Sequence, residues 1–367
     1  MEKYASKVPC RVLYQPKDER YGEKIRRYQG CPTIAVTPGG RIFLGWYSGG
    51  WTEPHIENYN LMVFSDDGGE TWSDPLIVIP SDRERWIHAL DIQLWCDPQG
   101  RLHVFWVQNN AEPAPDVLPP RQPGQPLVTV DGVMFNDFLH SMWEIVCEDP
   151  DAERPAFSEP RCLSVGFLRC KPLALANGNW LYFNYDQMHD RYGYSISRDR
   201  GKTLTHDYGA KKLATYFDEG MAYEKRNGGI RMLARTGLGE LAESSSFDGG
   251  LSWTPAKPSG IVSADTRFYI SRTPTGRVLL VTNDDPKVRT AMTVSLSEDD
   301  GETWKYRRKI DARTDISYPD ADFRGGTVCL TYDRERRGAK EILFLSFREE
   351  DIMDDVAELV PKIVSKP

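Results

Sequence analysis

A chain of 367 residues with a formal net charge of −8 has no general attraction to nucleic acid or to an anionic membrane surface, since both select basic partners. With 40% hydrophobic and 27% charged residues, its composition is that of a globular protein. No apolar run approaches the roughly 18 residues of a membrane span.

The opening residues, MEKYASK, hold neither an apolar core nor a cleavage site, so we expect no signal peptide. Seven scattered cysteines fit neither a disulfide framework nor a zinc spacing, which points to a reducing compartment and a cytoplasmic address. The first predicted element is a short strand over residues 8–14.

Downstream, one pattern recurs: a polar or proline-bearing turn, a glycine, then alternating apolar residues. It reads TPGGRIFLGW from Thr37, DPQGRLHVFW from Asp97, ANGNWLYF from Ala176, RNGGIRMLAR from Arg226, TPTGRVLLVTN from Thr273 and FRGGTVCLTYD from Phe323. The anchoring glycines are Gly40, Gly100, Gly178, Gly229, Gly276 and Gly326. Glycine supplies the positive φ of a tight hairpin, and six hairpins at roughly 50-residue spacing match the blades of a propeller.

The predicted fold is therefore all-β: one six-bladed β-propeller of four-stranded antiparallel blades over residues 1–350. The strand at 8–14 would complete the last blade and close the ring. The long interval from Gly100 to Gly178 contains the proline-rich EPAPDVLPPRQPGQ, predicted as a loop insertion at about 110–140 between the second and third blades. Residues 351–367 are predicted as a tail outside the ring, with a short helix.

A second repeat is sharper. Ser65, Asp67, Gly69, Thr71 and Trp72 fit S-x-D-x-G-x-T-W, and so do Ser297, Asp299, Gly301, Thr303 and Trp304. Ser246, Asp248, Gly250, Ser252 and Trp253 form a third copy, and Ser197, Asp199, Gly201 and Thr203 a fourth without the tryptophan. The Asp and Ser/Thr side chains suit backbone N–H groups in a tight turn, while the Trp packs between blades. These turns resemble the Asp-boxes, or BNR repeats, of the sialidase-like superfamily, of which the chain is read as a diverged member. Their expected role is structural and at the rim.

Chemistry is expected at the openings of the innermost strands, where polar residues of several blades converge: Asp91, Arg169, Lys171, Glu219, Arg267 and Tyr318. Sialidases use a Tyr nucleophile assisted by a Glu, an Asp acid/base and three Arg that clamp the substrate carboxylate. By that resemblance Tyr318, in Ser317-Tyr318-Pro319, is the nucleophile and Glu219 its partner. Arg235 matches the second clamp arginine, and Arg289 the third, with Arg267 competing. Asp91 matches an aspartate bordering the substrate pocket.

The chain departs from the family in two places. Gly30-Cys31-Pro32 stands where sialidases have Arg-Ile-Pro, leaving Arg26 or Arg27 to substitute from a loop. Where the acid/base aspartate is expected, the sequence reads HIENY from His55, which offers Glu57 or His55. Trp51 and Trp86 are candidates for stacking on a sugar face, and His88 and Lys171 for contacts at the channel mouth.

The resemblance implies an exo-acting, retaining glycoside hydrolase on a small glycan or glycoside ending in a neutral or acidic sugar. A uronate lyase using His88 and His55, or a binding propeller without turnover, are the alternatives. No cofactor and no metal are implied, and oligomeric state is not legible.

Overall fold

The structure is a computed structural model that describes residues 8–116, 127–354 and 358–367. It is a six-bladed β-propeller whose blades are antiparallel sheets, and in all but the first the innermost strand comes first in sequence. The innermost strands are Tyr28–Val36, Ile87–Cys96, Phe167–Leu168 continued by Leu173–Ala174, Met221–Glu224, Tyr269–Arg272 and Ile316–Arg324. A tight turn follows each of them, as the repeat requires. In the fourth and sixth blades, however, the positive φ falls on Gly228 and Gly325, one residue before the glycines that the pattern singled out.

Apolar side chains fill the spaces between blades. Tyr223 and Leu233 of the fourth blade, Leu279 and Val294 of the fifth and Leu330 and Tyr332 of the sixth belong to one buried cluster. The Asp-boxes fasten the rim. In the first, Asp67 accepts from the Ser65 hydroxyl at 2.7 Å and the Thr71 backbone N–H at 3.0 Å. Its Trp72 packs edge-on to Phe344 of the sixth blade, at 5.5 Å between ring centres. Trp253 of the fourth blade likewise meets Tyr194 of the third.

Three predictions need correction. Leu13–Tyr14 does not complete the last blade; it pairs with Ile77–Pro80 and gives the first blade a fifth strand. The ring is closed from the other end. Lys362–Ser365, read from sequence as part of an external tail, pairs with Glu341–Arg348 as the sixth blade's outer strand, after a helix at Glu349–Asp354. Arg26 fixes this closure, donating to the Ser365 hydroxyl at 3.1 Å. Residues 355–357 lie outside the described residues.

The insertion is also placed differently. It lies inside the second blade, between Leu102–Pro113 and Val133–Cys147, and adds a strand at Leu127–Val130. Both flanking strands run past the blade, so the insertion extends the sheet rather than linking two blades. Residues 117–126 lie outside the described residues.

Candidate active site

Three inner strands share one distortion. Cys31, Asp91 and Tyr318 each sit where the inner strand carries one residue more than its partner: between Gly30 and Thr33, Leu90 and Gln93, and Ser317 and Asp320. All three have positive φ, at 57°, 53° and 56°, and Glu219, just ahead of the fourth inner strand, joins them at 33°. Non-glycine residues held there cost on the order of 1–3 kcal/mol each, and such strain concentrates at functional sites. Bulges of this kind re-aim a side chain. The sequence signal is visible in two cases, because Cys31 and Tyr318 precede Pro32 and Pro319, and proline within a strand is confined to edges and bulges.

A cavity of about 330 Å³ opens over these bulges, lined among others by Glu53, Asp91, Arg169, Glu219, Tyr318 and Arg336. At its floor the Tyr318 hydroxyl donates to Glu219 Oε1 at 2.7 Å. Arg235 Nη1 bridges the pair, at 2.9 Å from Glu219 Oε2 and 3.2 Å from the Tyr318 oxygen. Arg169 pairs with Asp91 and places its Nε 3.6 Å from Glu219.

Burial by itself would raise the Glu219 carboxyl. The Arg235 and Arg169 guanidinium groups and the Tyr318 hydrogen bond outweigh it and bring the group down to about 2. Burial, reinforced by the Glu219 charge, pushes the Tyr318 phenol above its ordinary value. The resting pair is thus a neutral phenol donating to a carboxylate. That arrangement can pass the phenolic proton to Glu219 as the oxygen attacks an electrophile.

The cavity gathers Asp91, Glu219, Arg235, Arg289 and Tyr318, all singled out from sequence. The other candidates lie elsewhere. Glu57 and Arg27 line a separate cavity of about 590 Å³ outside the first blade. His55 and Trp51 both bind Asp131 of the insertion, at 3.1 and 2.9 Å. His88 is buried behind the site, 2.6 Å from the Tyr47 hydroxyl and 2.9 Å from Asn109, and burial lowers it to about 3. Trp86 packs on the small cluster of Ile56, Ala111, Val133 and Phe135. Lys171 reaches down the channel to Asp320 at 2.6 Å. Arg267 is buried beneath Tyr318 and donates to backbone carbonyls of Pro32, Arg169 and Tyr318. Apart from His88, these residues stand on loops or strand approaches, where strand phase does not set a side chain's direction.

The sequence reading missed Glu53, Arg336 and His140. Glu53 lies two residues before His55, on the loop where a proton donor was sought. It accepts from the Tyr28 hydroxyl at 2.5 Å and lies 3.4 Å from Arg336. Arg336 belongs to the RERRG turn of the sixth blade, which has no distinguishing motif. His140 comes from the second blade's strand Val133–Cys147, opposite Asn109; burial lowers it to about 3, so it faces the cavity as a neutral ring.

Cys31, Glu53 and Asp91 bring ligand atoms within 4.8 Å of one another, the one such set among the described residues. Arg169 and Arg336 already engage its two carboxylates, so the local field suits an anion better than a cation.

The BNR repeat-like domain family matches residues 150–327. No curated protein matches the sequence. Among solved structures, the intramolecular trans-sialidase from Ruminococcus gnavus is similar at 15% identity and a TM-score of 0.69, covering 95% of this chain and 99% of the other. The NanB sialidase from Streptococcus pneumoniae is similar at 16% identity and a TM-score of 0.67, over 94% of this chain and 71% of its own. A protein of unknown function from Dyadobacter fermentans aligns at 18% identity and a TM-score of 0.63, over 90% and 95%.

Proposed function

We propose that this chain, a diverged sialidase-like propeller with BNR-type repeats, is a retaining glycoside hydrolase acting on a terminal sugar. The observation that carries the reading is the 2.7 Å hydrogen bond from Tyr318 to Glu219 in the cavity. In the proposed reaction the Tyr318 oxygen forms a bond to the anomeric carbon as the glycosidic bond breaks. Glu219 takes the phenolic proton, and water later releases the sugar with retained configuration.

Of the three carboxyl groups lining the cavity, Asp91 is locked to Arg169 and Glu219 to Tyr318 and Arg235. Glu53, held by the Tyr28 hydroxyl and beside Arg336, is the one of the three that contacts none of Tyr318, Arg169 and Arg235, and we assign to it the protonation of the leaving oxygen. It is also the most exposed of the three, with about 28% of its side chain accessible. The alternative lyase chemistry would have to use His140, because neither His88 nor His55 lines this cavity.

The test is a panel of chromogenic sialosides, uronides and neutral glycosides assayed with wild-type protein and Tyr318→Phe. A glycosidase of this kind cleaves at least one panel member, and Tyr318→Phe lowers kcat by roughly 10³-fold or more. Full turnover by the Phe variant would refute the nucleophile. An ultraviolet-absorbing unsaturated product would indicate a lyase instead.

A further inference from the structure

We propose that the face of the propeller opposite the candidate active site carries a second binding site, a groove on the third blade that takes a short sulfated oligosaccharide. The third inner strand separates the two sites. Phe167, at its start, lines the cavity of the candidate active site. Asn177 and Asn179, in the turn beyond its end, line a groove of about 750 Å³ together with Arg101, Arg198, Arg200 and Lys202.

In each Asp-box the serine, the aspartate, the glycine and the final hydroxyl residue make the turn, and the three positions between them are free to vary. In the first blade these hold Asp66, Gly68 and Glu70, in the fourth Phe247, Gly249 and Leu251, and in the fifth Glu298, Asp300 and Glu302. In the third they hold Arg198, Arg200 and Lys202. The acidic ones tie their turns to the surroundings: Asp66 pairs with Arg41, Glu70 with Lys362, Asp300 with Arg272 and Glu302 with Lys225. The three cations of the third blade are exposed and have no ion-pair partner among the described residues.

Arg200 adds a cost that the turn does not require. Its φ is 58°, at a position where Gly68 and Gly249 stand at 79° and 75°. Glycine is unstrained there, and Asp300, at 60°, is of the short polar type that tolerates the conformation. Arginine is neither, so a long cation is kept here against the preference of the backbone.

The neighbouring charges are engaged elsewhere. Arg101 is matched by Asp97 at 2.7 Å. Arg161, which donates to the Gly201 carbonyl, is matched by Glu144 at 2.7 Å, and His103 lies between the two carboxylates. Asp199 accepts from the hydroxyls of Ser197 and Thr203 in its own turn, at 2.9 and 2.6 Å. Glu148 reaches only Arg101, at 3.7 Å. Arg198, Arg200 and Lys202 are thus left for an oxyanion ligand.

Two features select a sugar chain among anions. Asn177 Oδ1 accepts the Asn179 N–H at 2.9 Å, and its Nδ2 lies beside the fourth-blade turn, where a Cβ on Gly249 would meet it at 3.3 Å. Such an amide suits a sugar hydroxyl. Two residues before Gly249 stands Phe247, 74% exposed, an aromatic platform for a sugar face. The net charge of −8 opposes nucleic acid and anionic bilayers, whose fields act over the whole surface. A short chain that engages the groove alone escapes that repulsion.

The test is independent of the glycosidase reading. Chondroitin sulfate and heparin hexasaccharides, each beside its desulfated form, are titrated calorimetrically into the full chain. At least one sulfated chain should bind wild type about tenfold tighter than its desulfated form, and added salt should shrink the preference. The preference should vanish when Arg198→Gln, Arg200→Gly and Lys202→Gln are combined. Arg200→Gly alone should weaken binding severalfold without lowering Tm, because glycine is unstrained at that φ; it decides should the triple variant fail to fold. Tyr318→Phe, on the other face, should bind the sulfated chain as wild type does. No binding by wild type, equal binding of the two forms, an undiminished preference in Arg200→Gly or the triple variant, or its loss in Tyr318→Phe would overturn the proposal. So would groove-dependent binding of phosphatidylserine vesicles or single-stranded DNA in place of the oligosaccharide.

Discussion

The Tyr318 hydroxyl and the Glu219 carboxylate meet at 2.7 Å although 99 residues separate them in sequence. Each is carried by backbone in the left-handed region, one at a bulge in the sixth inner strand and the other just ahead of the fourth. Their encounter is therefore a property of the closed ring, because no local segment could hold both.

Glu219 is kept near 2, so it is ionised at every pH at which the protein is assayed. An acid limb in kcat/KM then belongs to another group. Glu219→Gln is expected to lower kcat/KM by roughly 10²–10³-fold while leaving the position of the acid limb unchanged. A pH–rate profile from pH 4 to 9 checks this. Disappearance of the limb in the Gln variant would mean that Glu219 titrates within that range.

The fold was legible because its determinants are local and repeated: six glycine turns and four Asp-boxes specify blades wherever they occur. The site was legible only in part. Asp91, Glu219 and Tyr318 stand at the openings of inner strands, and Pro319 marks the bulge that turns Tyr318 inward. Arg267 and Lys171 stand at equivalent sequence positions yet point down or across the channel, because a side chain's direction depends on bulges that spacing does not reveal. Glu53 and Arg336 come from loops whose path is fixed only by packing against a neighbouring blade. Ring closure was misassigned for a related reason, since either terminus could supply a short outer strand.

Glu53 is expected to donate a proton to the leaving oxygen, a contribution of roughly 10²–10⁴-fold. The loss in Glu53→Gln should depend on the leaving group. Cleavage of a dinitrophenyl glycoside, whose leaving group needs no protonation, should be nearly preserved, while an alkyl glycoside should lose most of its rate. Equal losses on both substrates would assign Glu53 to binding.

Asp218, next to Glu219 in the chain, is raised to about 7, chiefly by burial, despite Lys212 at 3.0 Å. A carboxyl whose folded value lies above its unfolded one binds its proton more tightly in the native state. Stability then falls as pH rises from about 4 toward 7, by an amount on the order of a few kcal/mol. Asp218→Asn should flatten this slope. Tm measured from pH 5 to 8 should decline in wild type and less in the variant; parallel curves would contradict the assignment.

Arg267 tests how the site is supported from below. Its guanidinium donates to carbonyls of three blades, at 2.7 Å to Pro32, 3.0 Å to Arg169 and 3.1 Å to Tyr318. Removing a buried cation relieves its desolvation cost, which favours an apolar replacement. Against that, Arg267→Met would leave buried carbonyls unpaired, at about 1–3 kcal/mol each. One of these belongs to Tyr318, whose backbone is already strained at φ 56°. With several carbonyls stranded at once the second effect wins, and Arg267→Met should lower Tm by several degrees. Activity should fall further than stability explains, because Tyr318 would no longer be fixed against Glu219. Arg267→Lys keeps the charge without the fork and should lie between the two. A Met variant with wild-type Tm and turnover would show that the ring holds Tyr318 in place without this contact.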